Sequence, residues 1–512
     1  MTTASDAQQG NIPEINERLN SNEATPLLST SLSDLDITIA NNDTKEPYIM
    51  AAMREFRFIA SKSSLTTLTL LLEFSFFTVN VLIVGHLGAK ELGAISLGVT
   101  FQVIIAMAPT FGIASAMDTF CSTAFTASRD KTLVGFHLQR GIIAVCTYVA
   151  LITPILWNAE YLLLLIKQDP EVAHLAGLYL RFHTINALPF GIFELTKRFL
   201  QAQGFMEAGT IITSVAAPIH WISCYVFVLS PRFGMGFIGA AIANTISNTL
   251  LVIGIIVFTY YSPAAEAWGG WKASAFRNMW VFYKFAIPAI ITVCADWFVF
   301  DLLALGASYF GPDQLAGSAV MVNAVVNIYH FSNGIGFGVS PRIGNHIGAA
   351  KPRQARIAAD VSLISAAINV TIGCLLLTLC GDWWISMYTK DPNVVHETKK
   401  LIPIACMVVL GDGLNSVLAA ILRGLGRQEA SSYIFLTGLY GFALPVALYL
   451  GYVRHVETAG LWWGTCAGVL IVAVLQFVYI YMFIDWKNEV RIGFLRLQDS
   501  SRDNAEGADG LE

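Results

Sequence analysis

Apolar runs long enough to cross a bilayer recur from about residue 63 to residue 484, and they restrict what this chain can fold into. Hydrocarbon offers no partner for a peptide N–H or C=O, so such runs become helices that satisfy their backbone internally. Hydrophobic residues make up 55% of the 512, and the mean hydropathy is +0.59, both well above a soluble domain. The pattern predicts an all-α integral membrane protein with twelve transmembrane helices. The spans fall near 63–84, 96–118, 138–158, 178–200, 209–230, 236–260, 280–305, 315–338, 357–380, 398–422, 431–452 and 460–483. Glu160, Lys167 and Asp169 interrupt the pattern between the third and fourth.

The ends differ from the body. Residues 1–58 carry nine Asp/Glu against four Lys/Arg, and residues 487–512 carry six against four. Both predict disordered acidic tails. Between them lie six-helix lobes at 59–262 and 280–486, joined by a linker at 263–279. The formal charge of −5 belongs to the tails, and the near-neutral body gives nucleic acid nothing to bind. Loops and helix ends after even-numbered spans hold fourteen Lys/Arg, including Lys197, Arg198, Arg342 and Arg423, against eight on the opposite side. Positive charge favours the cytoplasm, so both termini are expected there. None of the eight cysteines has CxxC spacing, which supports neither a zinc site nor a disulfide framework. No cleavable signal peptide is read, because the first apolar run starts after residue 58.

The two halves repeat. Residues 188–208 lie over 410–430 at a shift of 222, pairing Gly191 with Gly413, Gly204 with Gly426 and Glu207 with Glu429. GAKELGA at 88–94 lies over GPDQLAG at 311–317. Six helices is an even number, so the second half re-enters from the same side as the first. The repeats are therefore parallel, and a path between two rocking lobes is the economical inference.

The run from Phe285 to Ser308 contains Asp296 and Asp301. An aspartate at mid-helix costs at least about 2.5 kcal/mol in a bilayer, which points these acids at a wet or paired interior. They are five residues apart, roughly 140° round the helix and about 7.5 Å along it, so they meet different partners. Subtracting the repeat from Asp296 gives Glu73, an acid at equivalent depth in the first lobe. Asp412, flanked by glycines in the tenth span, is a further embedded acid. Glu73 is read either as a proton site or as a lone protonated acid donating a hydrogen bond. Asp118 is assigned to the end of the second span, where capping or gate contacts suit it better than coupling. Glu194, Lys197 and Arg198 are assigned to an interfacial cluster, and His220 to a neutral, hydrogen-bonded state. Trp297, Phe298, Phe300, Tyr329 and Phe331 are candidate cavity walls for a flat cation, with plain packing as the alternative. Pro288, two turns before Asp296, marks a hinge.

These motifs resemble the eukaryotic branch of the multidrug and toxic compound extrusion (MATE) transporters. The matching text includes VGHLGAKELGAISL (84–97), MDTFCSTAF (117–125), RIGNHIGAA (342–350) and LRGLGRQ (422–428). The resemblance implies two six-helix bundles around a V-shaped cavity, and export of organic cations in exchange for protons. It implies coupling acids at Asp296 and Asp301, where the family's Glu-Trp-x-x-x-Glu pattern reads Asp-Trp-x-x-x-Asp, and at Asp412. Glu73 stands where glutamine is common in the family. The driving force is a proton gradient, with no cofactor.

In the N-terminal tail, Glu23, Leu27 and Leu28 form an acidic dileucine pattern that sorting adaptors could read, favouring a vacuolar over a plasma membrane. Asn42-Asp43-Thr44 is a glycosylation pattern on the wrong side of the membrane. The leading function is a proton-coupled antiporter of organic cations, the alternative a flippase of a lipid-linked or amphipathic metabolite. An enzyme would need a histidine–carboxylate or metal cluster, and a receptor a sizeable external portion; neither is legible.

Overall fold

The structure is a computed structural model that describes residues 28, 34–43 and 46–505. Twelve long helices form its body: α1 (Tyr48–Val84), α2 (Lys90–Ala127), α3 (Thr132–Trp157), α4 (Pro170–Ala202), α5 (Glu207–Leu229), α6 (Phe237–Tyr261), α7 (Met279–Ser308), α8 (Pro312–Gly348), α9 (Pro352–Tyr388), α10 (Pro392–Leu425), α11 (Gln428–Val453) and α12 (Glu457–Phe483). Eleven are long and apolar enough to cross a membrane. The twelfth, α4, carries Glu194, Lys197 and Arg198 within it.

The helices sort into two lobes, as the repeat predicts. In the first, α6 packs on α4 and α5, and α1 on α5; in the second, α10 packs on α8, α9 and α12. Contact between lobes runs through α7 on α2 and through α8 on α1 and α2. Glycines set how closely these cross. A Cβ on Gly112 of α2 would fall 2.4 Å from Ile290 Cα of α7, so no larger residue fits that crossing. Two helices on the central space change winding. α2 takes one π turn at Val103–Met107 before Pro109, and α11 takes another at Leu436–Ala443.

The tails differ from expectation. A helix at Leu35–Asn42 buries Leu35 and Ile39, and α1 starts at Tyr48 rather than near 63. At the other end α13 (Trp486–Ala505) buries Val490, Phe494 and Leu497. Those three form a single stripe at helical spacing, which a charge tally does not register. The described tail residues are therefore ordered helix. Asp36 pairs with Arg491 at 2.7 Å, so the helix at Leu35–Asn42 and α13 share one face of the molecule. Helix α13 bridges the lobes, joining Arg427 through Glu489 (2.6 Å) and Arg140 of α3 through Asp503 (2.7 Å). Leu28 is half-buried against the core, whereas Glu23, Leu27 and Thr44 lie outside the described residues.

Candidate functional site

A cavity of about 750 Å³ lies between the lobes, lined from both. Its second-lobe wall carries Asp296, Trp297 and Asp301 from α7, Tyr329 from α8 and Asp412 from α10; its first-lobe wall carries Glu73 and Phe74 from α1 and Phe111 from α2.

The acids have distinct surroundings. The Tyr329 hydroxyl donates to Asp296 Oδ2 at 3.2 Å. Asp296 and Asp412 line the same wall of the cavity, and Asp412 Oδ1 is buried without a hydrogen-bond partner. Gly411 and Gly413 let α12 and α8 close on either side of Asp412, where a Cβ would meet Val469 and Ser332 side-chain atoms at 2.7 and 2.8 Å. Tyr440, in the π turn of α11, donates to the Ala295 carbonyl at 3.1 Å and fixes α7 beside the pair. Asp301, further along α7, faces the cavity half-buried, so the two aspartates do meet different surroundings.

Glu73 is not a lone acid. Lys197 Nζ donates to Glu73 Oε1 at 2.7 Å and to Glu194 Oε1 at 2.6 Å, over the Phe193 ring. The interfacial assignment of Glu194, Lys197 and Arg198 is corrected, because all three are buried. Helix α4 continues to Ala202, which carries them into the lobe.

Asp118 also differs. Helix α2 continues nine residues beyond it to Ala127, so Asp118 is an interior residue and caps nothing. It takes Arg198 Nη1 at 2.9 and 3.2 Å within its lobe, and Arg423 Nε of the opposite lobe lies 3.8 Å away. The gate reading suits this geometry. Further bonds close the same end. Arg342 of α8 binds Glu55 of α1 through Nε and Nη2, both at 2.8 Å, and Thr126 of α2 donates to the Asn345 carbonyl at 2.8 Å. This is the side of the helix at Leu35–Asn42, whose Asn42 donates to the Ala349 carbonyl just past the end of α8 at 3.2 Å. The lobes are thus joined at that end, and the cavity sits above the join.

The aromatic assignments divide. Trp297 meets Phe111 of the other lobe edge-on at 5.6 Å, and Trp297, Phe300 and Tyr329 line the cavity. Phe298 does not: it follows Trp297 by about 100° round the helix, which turns it away. Phe331 is 47% exposed on the outer surface of α8 and is also no wall residue. His220 is satisfied by Ser247 Oγ (2.9 Å) and the Phe76 carbonyl (3.2 Å). Helix α7 runs unbroken through Pro288.

Residues that sequence reasoning missed are Glu55, Arg342 and Arg423 of the inter-lobe contacts, and Phe337 and His330, which line the cavity. Arg342 and Arg423 were assigned to loops because the predicted spans stopped short. Helices α8 and α10 carry them inside, to Gly348 and Leu425.

A two-lobed, all-α, multi-pass carrier with acids around a central cavity is the class this architecture defines. Comparison with known proteins gives the family. The MatE family pattern matches residues 66–226 and 288–449, two segments whose starts are 222 residues apart, the offset of the internal repeat. The chain belongs to the MatE family. Protein DETOXIFICATION 15 of Arabidopsis thaliana is 31% identical over 84% of this chain and 88% of its own length. Multidrug and toxin extrusion protein 2 of Mus musculus is 31% identical over 77% of this chain and 69% of its own. Among solved structures, the eukaryotic MATE transporter AtDTX14 superposes with a TM-score of 0.81 at 25% identity, covering 88% of this chain and all of that one. The Vibrio cholerae transporter VcmN shares the fold at 17% identity, with a TM-score of 0.76 over 87% of this chain and 99% of its own. The relatives named here are transporters, so transport rather than catalysis frames the site.

Proposed function

We propose that this transporter exports organic cations and xenobiotics in exchange for protons, with Asp296 and Asp412 as the coupling pair. The observation that carries the reading is that both carboxyls line one wall of the cavity. Emptied of protons, the pair carries negative charge that burial makes costly, and either a proton or a cationic substrate offsets it. The two ligands therefore compete for one site, which is the requirement for exchange. Asp301 and the Trp297 and Phe300 rings supply a cation-binding wall nearer the open end. Glu73, with Lys197 and Glu194, gives the first lobe a second buried acid group that can gain or lose a proton as the lobes rock.

Alternating access requires the Glu55–Arg342 and Asp118–Arg198–Arg423 contacts to part while the opposite end closes. Pro288 supplies no N–H to the Lys284 carbonyl, which makes it the point at which α7 would bend as the lobes rock. The termini belong to the cytoplasm by the bias of basic residues, and the dileucine pattern favours the vacuolar membrane.

Vesicles containing the protein, acidic inside, should take up tetraethylammonium as protons leave, and Asp296→Asn should abolish uptake while the protein still inserts. Unchanged exchange in that variant at every pH contradicts the coupling role. Failure of the parent to exchange any cation contradicts the antiport reading and leaves the flippase.

A further inference from the structure

Helix α13 lies across the seam where the lobes are joined, and its two ends hold different lobes. Only Ile484 and Asp485 separate it from α12, so its first half belongs to the second lobe. There Glu489 accepts from Arg427 Nε and Nη2 at 3.0 and 2.6 Å, and Arg496 sits over the Phe285 ring of α7 at 4.7 Å. The middle of the helix rests on the seam itself. A Cβ on Gly493 would stand 3.1 Å from Ile347 of α8 and 3.7 Å from Thr123 of α2, one residue from each lobe.

The last turn binds the first lobe. Arg140 Nη2 of α3 donates to Asp503 Oδ2 at 2.7 Å, and Lys272 Nζ donates to Asn504 Oδ1 at 2.8 Å. Lys272 belongs to the linker, but the linker is pinned to α3. Gln139 Nε2 donates to the Gly270 carbonyl at 2.6 Å, and Gln139 Oε1 accepts from Lys272 N at 2.8 Å. The Arg140 side chain is 1% exposed, and its Nε is buried without a hydrogen bond. Its other Nη2 contact is the Arg277 carbonyl at 3.0 Å, so Asp503 is the one carboxylate paired with it among the described residues. Lifting the last turn strips a buried cation of its counter-charge, which favours the docked position.

A helix rises about 1.5 Å per residue, which sets Glu489 and Asp503 about 21 Å apart along the axis and lets them neither spread nor close. With both ends docked, the lobes cannot separate beneath it. The end next to α12 is tethered by the chain, so the free end is the one that must let go. We propose that α13 is an autoinhibitory strap: its last turn holds this face of the transporter shut and leaves Arg140 and Lys272 before the lobes part. The strap rests on the rocking of the lobes and is independent of which substrate or ion the cavity exchanges.

Spin labels at exposed Arg57 of α1 and Arg356 of α9, with exposed Cys146 and Cys380 replaced by serine, read the lobe separation on this face in the full-length protein in lipid nanodiscs. Asp503→Asn keeps the shape of the side chain and removes its charge. The population at longer distance should rise roughly ten-fold over the parent, the value of one charge-assisted hydrogen bond. Adding Asn504→Asp restores the composition and net charge and offers the carboxylate to Lys272 instead. That exchanged variant should return toward the parent distribution. A distribution unmoved by Asp503→Asn overturns the strap, even where the melting temperature falls, because α13 then only stabilises the fold. A longer component as large in the exchanged variant as in Asp503→Asn overturns it too, since the link from the last turn to the first lobe is then not what holds the face shut.

Discussion

The Tyr329 hydroxyl donates to Asp296 Oδ2 across 3.2 Å, linking α8 to the acid of α7 that shares a cavity wall with Asp412 of α10. One phenol thereby orients the carboxyl that faces the cavity. Tyr329→Phe removes about 1 kcal/mol of net hydrogen bonding and the orientation it provides, which corresponds to roughly five-fold in the rate of cation exchange. Initial uptake rates across substrate concentrations test this. The maximal rate should fall more than the apparent affinity, because the ring still fills its place in the wall.

Lys197 is the sole cation bonded to Glu73 and Glu194 among the described residues; Lys197 and Glu194 are buried in the first lobe, and Glu73 stands beside them at the cavity wall. Lys197→Met leaves two carboxyls facing one another, and breaking a buried pair in this way costs about 3–5 kcal/mol. The melting temperature of the purified variant should drop clearly. Adding Glu73→Gln and Glu194→Gln should recover most of the loss, since no uncompensated charge remains.

Glu55 and Arg342 tie α1 to α8 at the closed end. Glu55→Gln weakens that tie and should shift molecules toward the state open on the terminus-bearing face. Spin labels at the exposed positions Arg57 and Arg356, with exposed Cys146 and Cys380 replaced by serine, report the separation of the lobes there. The distance distribution should gain a longer component in Glu55→Gln. An unchanged distribution would show that the pair does not hold the closure.

Helix α13 is held to the second lobe by the Arg427–Glu489 contacts. Losing a charge-assisted bond of about 1.5–3 kcal/mol raises the detached population roughly ten-fold or more. In Glu489→Ala, trypsin should cut after Arg491 and Arg496 at least that much faster than in the parent. Arg496 is a sensitive reporter. Burial pushes its guanidinium down to about 10, and it packs over the Phe285 ring and against Gly426, whose φ of +74° ends α10.

Much of this architecture was legible because a bilayer imposes simple arithmetic. Span length, an even helix number and the 222-residue offset led to two parallel lobes, and the cost of a membrane-embedded carboxylate led to Asp296, Asp301 and Asp412. What escaped notice was buried polar structure. Lys197 and Arg198 read as interfacial charges at a helix end, and Arg342 and Arg423 as loop charges because an apolar window ends wherever charge begins, yet all four lie within helices and meet partners in other helices. Lys197 meets Glu73 across 124 residues of sequence, and no local pattern announces such a pair. Helix α13 was hidden for a related reason: its apolar stripe is short and lies in a tail, 487–512, whose overall composition is acidic. Phe298 shows the finer limit, since being next to Trp297 in sequence puts it on a different face.

Proton movement during transport tests the central claim most directly. Vesicles acidic inside, loaded with a pH-sensitive dye, are presented with tetraethylammonium outside. Interior pH should rise faster as the cation enters, with both signals lost together in Asp412→Asn. Cation uptake at the parent rate without any accompanying proton efflux would contradict the account.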